Sequence, residues 1–480
     1  MLSSETISTT LPLPPIRAQF PTLAQTVNGH PAVFFDGPGG TQVPQRVIDA
    51  ISGYLRRDNA NTGEAFATAR RTNAVIASAR AAMADFLNCG ADEVVFGPNM
   101  TALTFAISRA LARDLKPGDE ILVTRLDHDA NVSPWLAIAE DLNKEDRGAT
   151  VRWAEIHDED CTLDMADLAS KINEKTKLVA VGYASNAVGS INPVKEIIRL
   201  AHAAGALAYI DAVHYAPHGL IDVAALDCDF LVCSTYKFFG PHMGVLFGKR
   251  ERLKRLRPYK VRPNTNAIPN CWEWGTLNHE CIAGITACVD YIADIGRSIR
   301  REVTPEVTAP SETTSPAESS VPQGLKPNYF ASSIGAAEAV PYPKPTSGTR
   351  SSTRRAALES AYSAIHAHER GLLTRMMTGL LEIPSLKIYG ITDPARFDER
   401  CPTLALRIDD GKSGHTPHEL AAKLGERGFF TWDGNYYALN LTEHLDVEKS
   451  GGFLRIGLVH YNTMEEVDRL LAALREIVAM

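Results

Sequence analysis

Ser234-Thr235-Tyr236-Lys237-Phe238-Phe239-Gly240-Pro241-His242-Met243-Gly244 follows directly on the apolar run Asp229-Phe230-Leu231-Val232-Cys233. A lysine just past a strand is in most proteins a solvated surface residue, and an Asp ending a strand is most often a turn cap. Here the two occur together. A second strand pattern, Ala206-Leu207-Ala208-Tyr209-Ile210, ends on Asp211, 26 residues before Lys237, and runs on into Val213-His214. An amine and a carboxylate at successive strand ends match two needs of pyridoxal phosphate. The cofactor takes an amine for its Schiff base and an anion beside its pyridine nitrogen, so that the ring stays protonated and acts as an electron sink.

Outward from this pair, β-rich runs alternate with helical patterns from about Phe35 to Asp294, as in βαβ units around a mostly parallel sheet. The expected strands are Glu93–Phe96, Glu120–Thr124, Thr150–Glu155, Leu178–Tyr183, Leu207–Asp211, Phe230–Ser234 and Val245–Phe247, with ligands at their carboxyl ends. Between Val303 and Arg354 the composition changes: eight of the chain's 28 prolines fall there among Ser, Thr, Ala and Glu, which reads as a disordered insertion. Helical spacing resumes over Ala356–Glu382, followed by strands near Leu386–Tyr389 and Thr403–Ile408. The helix Met464–Val478 sets Val467, Leu470, Leu471, Leu474 and Ile477 on one stripe. The division expected is an N-terminal arm (1–34), a large cofactor-binding domain (35–294), the insertion (303–354) and a small α+β domain (355–480) joined by part of the arm.

At 480 residues and 45% hydrophobic, the chain can bury a large core. A formal net charge of −8 argues against nucleic-acid binding. The eight cysteines have no CxxC spacing, so reduced thiols in a cytoplasmic protein are expected, with no metal. Residues 1–15 offer neither a basic stretch nor an apolar run, so neither a secretory signal nor a membrane span is expected.

Other strand ends carry candidate chemistry. After Glu93–Phe96, Gly97-Pro98-Asn99-Met100-Thr101 opens a helix whose free N–H groups suit a phosphate, although such capped starts occur in most globular proteins. After Glu120–Thr124 comes His128, within Asp127-His128-Asp129-Ala130-Asn131, able to stack on a pyridine ring or shuttle a proton. After Leu178–Tyr183 comes Ser185-Asn186, where the amide can meet a ring oxygen or merely form a turn with Gly189.

With His128, Ser185-Asn186-x-x-Gly189, Asp211-x-x-His214, Ser234-x-x-Lys237-x-x-Gly240-Pro241, Gly275-Thr276 and Arg455 in this order, the chain resembles the class V aminotransferase family. The likeness is to its cysteine-desulfurase-like branch, and it runs from about Phe20 to the C-terminus. The resemblance implies an α/β protein of fold type I: a mostly parallel seven-stranded sheet domain plus a smaller α+β C-terminal domain. It implies that Lys237 carries the cofactor, Asp211 pairs with the pyridinium, His128 stacks on the ring, and Asn186 and His214 lie near its oxygen. Met100, Thr101, Ser234 and Tyr236 would serve the phosphate. Thr276 matches a segment that reaches the phosphate of a neighbouring subunit, so a homodimer with shared active sites is implied. Arg455 would clamp the substrate α-carboxylate, a task suited to a planar fork.

One stretch departs from the branch. Thr431-Trp432-Asp433-Gly434-Asn435-Tyr436-Tyr437-Ala438 corresponds to the loop that presents a sulfur-accepting cysteine, and Tyr437 stands in its position. A phenol cannot become a persulfide. Asn435 and Tyr437 are instead expected to face substrate. The reaction expected is a lyase, with β-elimination of a C–S or other bond through an external aldimine of an amino acid. Decarboxylative aldolase, aminotransferase and epimerase chemistry on the same aldimine are alternatives, as is a non-catalytic protein that binds the cofactor or a partner.

Overall fold

The strand patterns assemble into one sheet of seven in the computed structural model, which describes residues 11–145, 148–303, 353–408 and 415–479. Its order across the sheet is Val94–Gly97, Gly244–Gly248, Phe230–Ser234, Leu207–Asp211, Thr176–Gly182, Glu120–Thr124, Thr150–Ala154. Gly244–Gly248 runs antiparallel to both its neighbours, and the other pairings are parallel. Every expected strand is present, with ends moved by at most two residues.

The strands lack the polar alternation of a half-exposed sheet because both faces are covered. Side chains of adjacent residues project to opposite faces. Leu122, Val179, Val181, Ile210, Leu231 and Cys233 therefore join one apolar core, while Ile121, Val123, Leu178, Ala180, Tyr209, Phe230 and Val232 join another. Full burial of each such Val, Leu or Ile contributes about 1.5–3 kcal/mol relative to exposure. A third core lies under a four-stranded sheet ordered Leu386–Tyr389, Thr403–Ile408, Phe453–Gly457, Trp432–Gly434. The expected stripe of the last helix, Val467, Leu470, Leu471, Leu474 and Ile477, is fully buried there.

The arm is tied in by short parallel pairing of Val33–Phe34 with Phe429–Phe430. Helices His279–Val303 and Thr353–Leu381 pack together so closely that a Cβ on Gly296 would meet the Ala357 carbonyl oxygen at 1.9 Å. The proline-rich stretch read from the sequence as a disordered insertion lies, at residues 304–352, outside the described residues. All eight cysteines are free thiols, and no helix among the described residues is long and apolar enough to cross a membrane.

Candidate active site

Parallel strands deliver their carboxyl ends to one edge of the sheet, and the residues just beyond five of those ends line a common cleft of about 590 Å³. Asn99, Met100 and Thr101 follow Gly97; His128 follows Thr124; Ala184 and Asn186 follow Gly182. Asp211, Val213 and His214 end the next strand, and Ser234, Tyr236 and Lys237 the fifth. Asp211 lies in register with Val232 on one side and Gly182 on the other.

The Met100–Ala112 helix opens with its Asn99 cap, whose Oδ1 accepts the Ala102 N–H at 2.8 Å. Those of Met100 and Thr101 belong to the first turn, which has no intrahelical acceptors. The helix is anchored to the sheet where Thr104 Oγ1 and Tyr209 OH bond at 2.8 Å. Gly244 must be glycine, because a Cβ there would stand 2.3 Å from the Asn99 backbone.

Lys237 ends a short 3₁₀ turn, and its Nζ donates to the Pro38 carbonyl. Burial, then the Arg455 guanidinium, lower its pKa to about 7 against the opposing pull of Asp211 and Asp36. Near neutrality a large fraction of this amine is therefore uncharged. Asp211 is raised to about 6 by burial, against the Val213 N–H that its Oδ1 accepts at 2.9 Å and the Lys237 charge. It faces the cleft with no cation bonded to it among the described residues.

His128 is held neutral: burial first, then Lys237 and Arg455, bring it down to about 3. Its Nδ1 accepts the Ala130 N–H at 3.0 Å, so the ring proton sits on Nε2. Arg455, on the Phe453–Gly457 strand, is only 4% exposed and is lowered by burial to about 10. It donates to the Asn186 carbonyl at 2.9 Å and lies 4.0 Å over the Tyr436 ring, beside the cleft and not in its lining, with no carboxylate bonded to it among the described residues.

The loop carrying Asn435 and Tyr437 is clamped onto this constellation. Asn186 Nδ2 donates to the Tyr436 carbonyl at 2.8 Å, and the Asp129 N–H to the Tyr437 carbonyl at 2.6 Å. The Tyr437 ring stacks on His128 at 5.4 Å, while its other side is exposed. Tyr436 and Tyr437 take φ of 55° and 61°, a left-handed conformation that costs a bulky residue about 1–2 kcal/mol. The two carbonyl contacts oppose that cost. Asn435 turns away, bonding Glu448 at 2.9 Å and the Tyr437 N–H at 3.0 Å.

Thr276 is not in the cleft of its own chain. It lines a separate cavity with Phe96, His242 and Trp274. The segment before it is fixed by a buried ion pair: Arg80 reaches Glu273 at 2.7 Å, and the other Glu273 oxygen accepts the Phe96 N–H at 2.9 Å.

Two carboxylates escaped the sequence reading. Asp36, raised to about 6 by burial, interacts with Arg455 and Lys237. Asp127 accepts the Gly182 N–H; burial and the Asp211 charge raise it to about 8. Nothing in the sequence around Asp36 marks it, and Asp127 reads as an ordinary turn residue beside His128.

The polar atoms fit pyridoxal phosphate. Asn186 Oδ1, His214 Nε2 and Ser234 Oγ are buried at the cleft with no hydrogen-bond partner among the described residues, and buried polar atoms are normally paired. A polar ligand reaching all three edges answers that deficit.

Comparison with known proteins agrees. The family described as aminotransferase class-V matches residues 33–309 and 355–470. A cysteine desulfurase of Serratia proteamaculans is 30% identical over 97% of this chain and 98% of its own. An aminotransferase-like protein of Gibberella zeae is 29% identical over 96% and 97%. Among solved structures, a cysteine desulfurase of Thermococcus onnurineus superposes with a TM-score of 0.75 at 23% identity, covering 98% of each chain. The Escherichia coli cysteine desulfurase CsdA gives 0.73 at 24% identity, covering 97% and 98%.

Proposed function

Because the chain belongs to the class V aminotransferase family, and is thereby a pyridoxal-phosphate-dependent enzyme of the fold-type-I α/β class, we propose that it acts on an amino acid as a lyase, removing the Cα proton and expelling a Cβ substituent. One observation carries this reading: a partly neutral lysine and a carboxylate with no bonded cation share one cleft whose lining holds no cysteine, and the buried Arg455, with no carboxylate bonded to it among the described residues, acts on that lysine from beside the cleft. When bound, pyridoxal phosphate supplies an aldehyde for the substrate amine and an electron sink for the bond that breaks.

The chain's own residues supply the rest. Met100 and Thr101 N–H groups, Ser234 Oγ and Tyr236 bind the phosphate at the helix N-terminus. Asp211 would hold the proton on the ring nitrogen, and the neutral His128 would cover the ring. Asn186 and His214 serve the ring oxygen. Arg455 would grip the α-carboxylate, and Lys237 Nζ, partly uncharged near pH 7, would take the Cα proton. Tyr437, spanning from His128 to solvent, limits water at the mouth.

The name cysteine desulfurase, borne by several relatives, makes a sulfur amino acid the first substrate to test. With no thiolate at the cleft to accept sulfur, its release here goes by elimination. The homodimer is part of the same proposal, since Thr276 sits outside its own cleft beside the half-exposed Trp274. The test is to mix holoprotein with a panel of amino acids, following the cofactor spectrum and the carbon products. A keto acid with ammonia and the Cβ leaving group supports the lyase. Carbon dioxide release, or an amino acid returned with its α-carbon inverted, replaces it with decarboxylative or epimerase chemistry, and an unchanged spectrum with every amino acid removes the reading that it acts on an amino acid.

A further inference from the structure

Behind the cleft, three residues of different sequence segments bring ligand atoms together. His214 and His218, on the turn after the Leu207–Asp211 strand, and Cys401, just before Thr403–Ile408, hold nitrogen and sulfur atoms within 4.8 Å of one another. All three are buried, at 4%, 7% and 1% exposure.

His214 Nε2 is the atom left for the cofactor side, so the ring's other nitrogen is the one available to this cluster. One further observation points to a ligand. His218 Nδ1 lies 2.8 Å from Oε2 of Glu369, itself a buried carboxylate. A carboxylate in that position takes the Nδ1–H and leaves the lone pair on Nε2 free, the arrangement by which metal-bound histidines are oriented.

We propose that His214, His218 and Cys401 form a site for a zinc-class divalent cation, with Glu369 positioning His218 and water completing the coordination. Tetrahedral zinc draws nitrogen and sulfur ligands to about 3.4–3.6 Å apart, so the side chains close in by roughly 1 Å. On binding, the Cys401 thiol gives its proton to solvent and the thiolate donates to the metal. Thiolate and Glu369 carboxylate together offset the two positive charges. The cations facing the same cavity are otherwise engaged: Arg400 donates to the carbonyls of Val188, Thr403 and Ile391, and Arg370 pairs with Asp398.

Access is available from a cavity of about 760 Å³ lined by His218, Glu369 and Cys401, distinct from the cofactor cleft. His214 borders that cleft as well. With one ring nitrogen on the metal, the other keeps its proton and donates towards the cofactor side. The ion would also tie the segment after Asp211 to the strand that starts at Thr403. None of this depends on which amino-acid reaction the cleft performs.

The experiment titrates pyridoxal-phosphate-loaded, full-length protein with zinc, measuring metal retained after desalting. A parallel titration with cadmium reads the ultraviolet thiolate-to-metal band. One metal per chain is expected, with a rise in melting temperature. Cys401→Ser should abolish the cadmium band and the melting shift, His218→Gln should abolish retention, and Glu369→Gln should weaken affinity about 10–100-fold. Circular dichroism and the cofactor spectrum verify that each variant is folded. No zinc retained by wild type, or a cadmium band unchanged in both Cys401→Ser and His218→Gln, overturns the site and leaves the cofactor reading intact.

Discussion

Arg455→Lys separates the charge of the carboxylate clamp from its geometry. The guanidinium is buried, one N–H is committed to the Asn186 carbonyl at 2.9 Å, and the ring of Tyr436 lies 4.0 Å from its carbon. Those contacts fix its plane, so the remaining N–H groups meet a carboxylate without further ordering. Lysine at this position keeps a positive charge but offers a point donor in place of a fork. The loss is one charge-assisted hydrogen bond, about 1.5–3 kcal/mol. At about 1.4 kcal/mol per tenfold, that weakens amino-acid binding about 10- to 150-fold. The assay is a spectral titration of the holoprotein with an amino acid and with its amino alcohol, which lacks the carboxylate. The amino acid should lose affinity while the amino alcohol keeps it. Equal losses for both would show that Arg455 acts through the Asn186 loop, and no loss for either would show that the carboxylate binds elsewhere.

Asp211→Asn should retain the cofactor yet lower turnover by at least about tenfold, since an amide forfeits the charge-assisted bond to the ring nitrogen; undiminished turnover in steady-state assays would give that nitrogen another partner. Asp127→Asn should stabilise the apoprotein increasingly as pH rises. The carboxyl's folded pKa of about 8 lies above its ordinary value of 3.8, so between them the folded state holds a proton that the unfolded state releases, and wild-type stability falls. The asparagine is neutral throughout and can still accept the Gly182 N–H, so the melting-temperature difference should widen from pH 5 to pH 8; a constant difference contradicts the raised pKa of the buried carboxyl. Cysteine should yield no protein-bound persulfide, because Tyr437 stands beside His128 where a thiol would be needed and no cysteine lines the cleft; alanine appearing together with an alkylation-labelled thiol would reverse this.

The large sheet was legible because its strands are short apolar runs bounded by turn residues, and its helices carry a clear repeat. Leu207–Asp211 and Phe230–Ser234 are the clearest cases: both ends agree between sequence and structure. The strands Trp432–Gly434 and Phe453–Gly457 were not foreseen, since one has three residues and the other sets Arg455 among apolar neighbours. Arg455 was found by resemblance; its burial beneath Tyr436 follows only from tertiary packing. Asp36 and Asp127 look like any turn aspartates, and what makes them unusual is burial beside charges far away in sequence. The His214, His218 and Cys401 cluster was invisible for the same reason, because its third member is 183 residues beyond its second.

The most direct measurement is borohydride reduction of the holoprotein followed by peptide mapping, with cofactor capture by the apoprotein followed across pH. Lys237 should carry the reduced pyridoxyl group, Lys237→Ala should carry none, and the capture rate should rise through about pH 7, where this amine loses its proton. An adduct on another lysine, or a capture rate that rises only near pH 10, would contradict the site.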